Sequence, residues 1–136
     1  MKKTQTILYW LARIIAAIIM LQTLYFKFSG AEESIYIFTT AGVEPFGRIA
    51  AGVLELIASI LLIISATAWL GGLLAAMLMT GAIGMHLTIL GIEVKGDNGY
   101  LFYLALTVML CSVWVIYCDR KKIMTYISLI MAKAKA

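Results

Sequence analysis

The stretch FGRIAAGVLELIASILLIIS, residues 46–65, is apolar for long enough to cross a membrane, yet it carries a carboxylate at Glu55. A charge at the centre of a bilayer costs roughly 3 kcal/mol or more unless a neighbour compensates it. What lies opposite Glu55 therefore bears on both the fold and the function.

The rest of the chain favours lipid over water. Of its 136 residues, 63% are hydrophobic and 13% are charged, with a mean hydropathy of +0.99. Soluble domains are about half apolar and about a quarter charged. A chain of this length makes one domain at most, and one small domain cannot enclose so much apolar surface. Four runs approach the ~20 residues that span hydrocarbon. They are Ile7–Phe26, interrupted by Arg13 and Gln22; Phe46–Ile64, with Arg48 and Glu55; Ala68–Leu90, with His86 near its end; and the uncharged Tyr100–Cys118. Each is expected to be helical, because lipid leaves the edge of an open strand unpaired. The fold class is thus an all-α membrane protein, a four-transmembrane-helix bundle. Met1-Lys2-Lys3 resembles the start of a signal peptide. The first run is nevertheless expected to be a retained span, because it is long, contains Arg13 and lacks a small-x-small cleavage site.

Lysine and arginine set the expected orientation. Lys2 and Lys3 precede the first span, and Arg120, Lys121, Lys122, Lys133 and Lys135 follow the fourth. The two connections on the other side hold Glu32, Glu33, Glu44, Glu93 and Asp97 against Lys27 and Lys95. Both termini are expected in the cytoplasm, with the chain multi-pass in a bacterial inner (plasma) membrane. The formal charge of +4 reflects that topology, and nothing points to nucleic acid. Cys111 and Cys118 are seven apart on one helix, roughly 10 Å along its axis, too far for a disulfide. They read as packing residues.

The longest connection, residues 27–45, contains ESIYIFTTAG. Ile35, Phe38 and Ala41 recur at helical spacing there, so a short interfacial helix is expected, capped by Gly42. Pro45 opens the second span. The link Ser65-Ala66-Thr67 is so short that spans two and three must be antiparallel neighbours. Span three is rich in small residues that let helices approach closely. Asn98-Gly99 marks a turn, and Tyr100, Phe102 and Tyr103 form an expected aromatic belt. Residues 1–118 are read as the transmembrane domain. Residues 119–136 are read as a basic amphipathic tail lying on the anionic cytoplasmic leaflet.

With this topology, Gln22, Lys27, Arg48, Glu55 and His86 all fall in the outer half of the bundle, on three helices. They are the candidate binding pocket. Glu55 has four candidate partners at matching depth: Arg48, seven residues before it on nearly the same helix face, and Lys27, His86 and Gln22. Arg13 is expected to snorkel to the headgroups. The pocket has two readings. One is an ion pair that fixes helix contacts; the other is a site for a small anion or a quinone carbonyl, with Glu55 and His86 exchanging protons. One His and one Glu make a poor metal set, since zinc takes three or four protein ligands, so no metal is expected.

The segments LARIIAAIIMLQTLYFKFSGAEES, EPFGRIAAGVLELIASILLI and GAIGMHLTILG with GDNGYLF together closely resemble the DoxX family of small bacterial membrane proteins. The resemblance covers about residues 7–118. Its positions here are Arg13, Lys27, Gly30, Arg48, Glu55 and His86. Family members often have Pro-Arg where Ser65-Ala66-Thr67 stands. The resemblance implies a four-helix membrane bundle and a likeness to the membrane subunit of a thiosulfate:quinone oxidoreductase. The chain has no haem, flavin or Fe–S ligand set and no CxxC, so electron transfer by it would need a quinone, the candidate cofactor, or a partner redox subunit; a homo-oligomer is the other candidate partner. Animal relatives resemble assembly factors for membrane receptors, so the alternative is a non-catalytic membrane scaffold.

Overall fold

Inside hydrocarbon every backbone N–H and C=O must find its partner within its own segment, which makes a long apolar run a helix. The computed structural model describes residues 1–136 and consists of helices and connections only. In chain order these are α1 (Lys3–Phe28), α2 (Glu32–Thr40), α3 (Phe46–Ile63), α4 (Ala68–Met85), a π turn (His86–Leu90), α5 (Tyr100–Cys118) and α6 (Arg120–Ala134). Four segments are long and apolar enough to cross a membrane: Lys3–Phe28, Phe46–Ile63, Ala68–Leu90 and Tyr100–Cys118. They match the four expected spans, except that the third ends in the π turn.

The spans alternate in direction and close a ring in the order α1, α3, α4, α5. One end of the bundle carries both chain termini and is called the terminal end; the other, with α2 and the 91–99 turn, is the loop end. Ile18, Met77 and Leu110 are exposed on the outside and present an apolar surface to the bilayer. The interior is tight, with Ala16, Ala58, Leu62, Ala75 and Val115 essentially inaccessible. Gly71 makes the α3–α4 seam possible. A Cβ there would stand 2.6 Å from the Leu62 nitrogen and 3.0 Å from the Ala58 oxygen, a clash with backbone that no rotamer relieves.

Arg13 departs from expectation. It does not snorkel to headgroups; it is 1% exposed. Its Nε donates to the Leu62 carbonyl at 2.6 Å and its Nη2 to the Ile63 carbonyl at 2.7 Å. These are among the last carbonyls of α3, which have no partner within the helix. The guanidinium also lies 3.8 Å from the centre of the Trp10 ring. The direction follows from helix geometry. Side chains tilt toward their own N-terminus, which for α1 is the terminal end, where α3 finishes. A helix C-terminus carries partial negative charge, which favours a cation.

The first loop holds a helix as expected, and Gly42 follows its C-cap. Its inward face differs. Ser34 and Phe38 are buried while Ile35 is exposed, so α2 lays one side across the loop end of the bundle. At the terminal end α5 stops at Cys118, and Asp119 turns the chain into α6. The Asp119 carboxylate is buried and accepts a hydrogen bond of 2.6 Å from Tyr9 Oη of α1.

Candidate functional site

Glu55 is compensated from α1. Lys27 Nζ stands 3.0 Å from Glu55 Oε2, and Thr23 Oγ1 donates to the same oxygen at 3.3 Å. Both charged side chains are largely buried. The pairing again follows from tilt. Lys27 sits at the C-terminal end of α1 and leans down into the bundle. Glu55, on the antiparallel α3, leans up toward the loop end, so the two converge.

Arg48 leans away from Glu55 for the same reason, toward the start of α3. Of the four candidate partners of Glu55, Lys27 is the one it pairs with, and Arg48 makes two other contacts. Arg48 Nε donates to Glu44 Oε1 at 2.9 Å, and Nη1 donates to the Lys27 carbonyl near the end of α1. Gln22 is exposed on the outer surface of α1. It lies five residues before Lys27, about 140° round the helix at 100° per residue, whereas Thr23 is only about 40° away.

His86 opens the π turn and is 5% exposed. Its Nδ1 is 2.8 Å from the Gly91 carbonyl oxygen. A carbonyl can only accept, so Nδ1 carries the proton and Nε2 is the basic nitrogen of the neutral ring. Gly91 follows the turn with φ +79°, a left-handed conformation that glycine adopts without strain. Phe102 packs edge-on against the imidazole, with ring centres 5.5 Å apart. Of the three expected belt residues Tyr100 and Tyr103 are exposed, Tyr100 also lining the cavity described next, and Phe102 is turned to the imidazole.

Between these groups lies a cavity of about 540 Å³, within the usual range for small-molecule sites. Sixteen of its 24 lining residues are hydrophobic, which suits an apolar occupant. α1 contributes Met20, Thr23 and Lys27, α3 contributes Ala51 and Glu55, and α4 contributes Met79 and Met85 beside His86 of the π turn. Leu101 and Leu104 come from α5, and Glu33, Ser34 and Phe38 of α2 lie over the loop end. Of the five expected pocket residues, Lys27, Glu55 and His86 line this cavity; Arg48 and Gln22 do not. Thr23, Glu33 and Asp97 line it without having been expected.

Asp97 organises the 91–99 turn. Its carboxylate accepts from the backbone amides of Val94 at 2.9 Å, Gly99 at 2.8 Å and Leu101 at 3.2 Å. Burial alone would raise its pKa, but the three amides outweigh it and hold the group below the usual carboxylate value. On the surface of the same turn Lys95 Nζ meets Glu32 of α2 at 2.8 Å. That hydrogen bond lowers the Glu32 pKa and raises that of Lys95. The link ties the turn to α2 above the cavity.

A family model described as DoxX matches residues 8–89, more than half of the chain. The matched span includes Arg13, Lys27, Arg48, Glu55 and His86 but ends before the 91–99 turn and α5. No curated protein and no solved structure gives a significant match.

Proposed function

The chain belongs to the DoxX family of membrane proteins, and on that premise we propose that its loop-end cavity binds the headgroup of a membrane quinone within a redox complex. One observation carries this reading. A mostly apolar cavity of about 540 Å³ holds a buried ammonium–carboxylate pair and an imidazole with one basic nitrogen. A quinone headgroup is flat and uncharged, with two carbonyl acceptors, and it travels in the hydrocarbon the spans occupy. When bound it supplies two-electron acceptance with uptake of two protons. Lys27 Nζ donates a hydrogen bond to one carbonyl, and the Glu55 carboxylate and His86 Nε2 are the two acceptors through which protons pass on their way to the ring. The apolar wall excludes water from the ring. Electrons come from a partner redox subunit or a second copy of the chain.

The charges around the cavity favour a neutral ligand over a sulfur oxyanion. Lys27 is opposed by Glu33, Glu55 and Asp97, and an anion would enter against that excess. The basic terminal end is assigned to the cytoplasm by the positive-inside rule, in a bacterial inner membrane, with the cavity on the far side. Residues 1–118 form the domain that holds the site, and 119–136 a separate tail.

A non-catalytic scaffold is the second reading. It is favoured by the lipid-facing side of α4, where a Cβ added at Gly84 would meet no atom within 4 Å and Met77 is 71% exposed. Small residues on such a face let a partner helix approach.

Titration of purified protein in nanodiscs with a short-chain quinone and, separately, with thiosulfate tests the first reading. Saturable quinone binding that weakens at least tenfold in Glu55→Gln and in His86→Ala supports it. Absence of wild-type quinone binding, together with one crosslinked partner that survives His86→Ala, would replace it with the scaffold.

A further inference from the structure

We propose that α6 lies flat on the membrane surface and binds the headgroups of anionic phospholipids, independently of what the cavity holds. Its direction is the first observation. Had the chain run straight on from α5, Tyr126 would stand about 12 Å beyond Cys118 at 1.5 Å per residue. Instead the Tyr126 ring stacks on Trp69 in the first turn of α4, with centres 4.8 Å apart and planes 22° off parallel. α6 therefore crosses the terminal end from α5 to α4, at the level where the spans leave the hydrocarbon. The turn is held at Asp119, whose buried carboxylate is fixed by Tyr9 Oη.

Its faces are the second observation. At 100° per residue Ile123, Met124, Ile127, Ile130 and Met131 fall on one side. None of α6 is buried, and Ile130 is 67% exposed. A helix with one apolar face and basic flanks lies in the interface plane.

Charge names the occupant. Residues 120–136 contain five basic side chains and no acidic one. Arg120 is engaged with Tyr117, donating to its carbonyl at 2.7 Å. Lys121, Lys133 and Lys135 make no ion pair, and Lys122 approaches Asp119 only at 3.5 Å. Such ammonium groups gain energy beside anionic headgroups and none beside zwitterionic ones. A second copy of the chain would bring like charges together along this helix.

Site-directed spin labelling of the full chain tests this. The background is Cys111→Ala with Cys118→Ala, checked for native helix content. One nitroxide is attached at Ile130→Cys and, in a separate protein, one at Ser128→Cys, about 160° round the helix from it. In vesicles containing one-third phosphatidylglycerol, the ratio of oxygen to nickel-chelate accessibility should be at least threefold higher at 130 than at 128. That contrast should shrink in pure phosphatidylcholine and in the fourfold variant Lys121→Gln, Lys122→Gln, Lys133→Gln, Lys135→Gln. Equal ratios at both positions in the anionic vesicles would overturn the proposal. So would a contrast indifferent to phosphatidylglycerol, or dipolar broadening between labels at 130, which would put a second copy on the face instead.

Discussion

Arg13 of α1 and Arg48 of α3 each hold the C-terminal carbonyls of the helix that carries the other. Arg13 takes Leu62 and Ile63 at the end of α3, and Arg48 takes Lys27 near the end of α1. The antiparallel pair is fastened at both ends by the same chemistry. Each cation lies where a helix dipole is negative.

Arg13→Ala should therefore cost far more than an ordinary span substitution. Leu62 and Ile63 would lose charge-assisted bonds inside the protein, at about 1–3 kcal/mol for each buried group left unpaired. Arg13→Lys should recover only part, because one ammonium cannot reproduce a planar fork that also stacks on Trp10. Thermal unfolding of the detergent-solubilised variants should rank them wild type, Lys, Ala.

The Lys27–Glu55 pair should show strong non-additivity. Lys27→Met strands a buried carboxylate and should destabilise by about 3–5 kcal/mol. Adding Glu55→Gln removes that stranded charge and should restore much of the loss. A double-mutant cycle on unfolding free energies measures the coupling. Additive effects would mean that the two side chains do not meet.

Gly71→Ala and Gly84→Ala make a matched pair on one helix. At Gly71 the new methyl meets the α3 backbone at 2.6 Å; at Gly84 it meets nothing within 4 Å. The first should lower the melting temperature, and the second should leave it unchanged or raise it, since alanine is favoured over glycine in a helix by up to about 1 kcal/mol. If the Gly84 variant blocks a crosslink to a partner, that face is an assembly surface.

Order in the 91–99 turn should fail in acid. The folded Asp97 group titrates below its ordinary value of 3.8, so the charged form is the one that folding favours. Its contribution is complete above that ordinary value and is lost as pH falls through the lower, folded one. Amide exchange at Val94, Gly99 and Leu101 should accelerate over that window. In Asp97→Asn it should already be fast at neutral pH, with no acid step.

Much of this was legible in the sequence. The spans and the α2 helix follow from apolar length and periodicity, and Lys27, Glu55 and His86 follow from matching depth. The misplaced residues share one cause. Depth along an axis says nothing of which way a side chain leans or which face it occupies. Tilt toward the N-terminus sends Arg48 away from Glu55 and Arg13 into the α3 terminus, and helical phase puts Gln22 outside while Thr23 faces in. Both rules could have been applied to the sequence. Asp97 was harder to see: its role depends on three amides gathered by a turn, and only Asp97-Asn98-Gly99 hinted at it.

The π turn at His86 implies a constraint on how this segment tolerates insertion and deletion. A π turn closes over one residue more than an α turn, so the third span carries a surplus residue. Deleting one residue between Met85 and Leu90 should let the ordinary helical ladder close up. The imidazole would then keep its place in the alignment and lose its place in space, swung off Gly91 by about a quarter-turn. Length variants of this segment should thus be far rarer than substitutions in it, although few of its side chains make polar contacts.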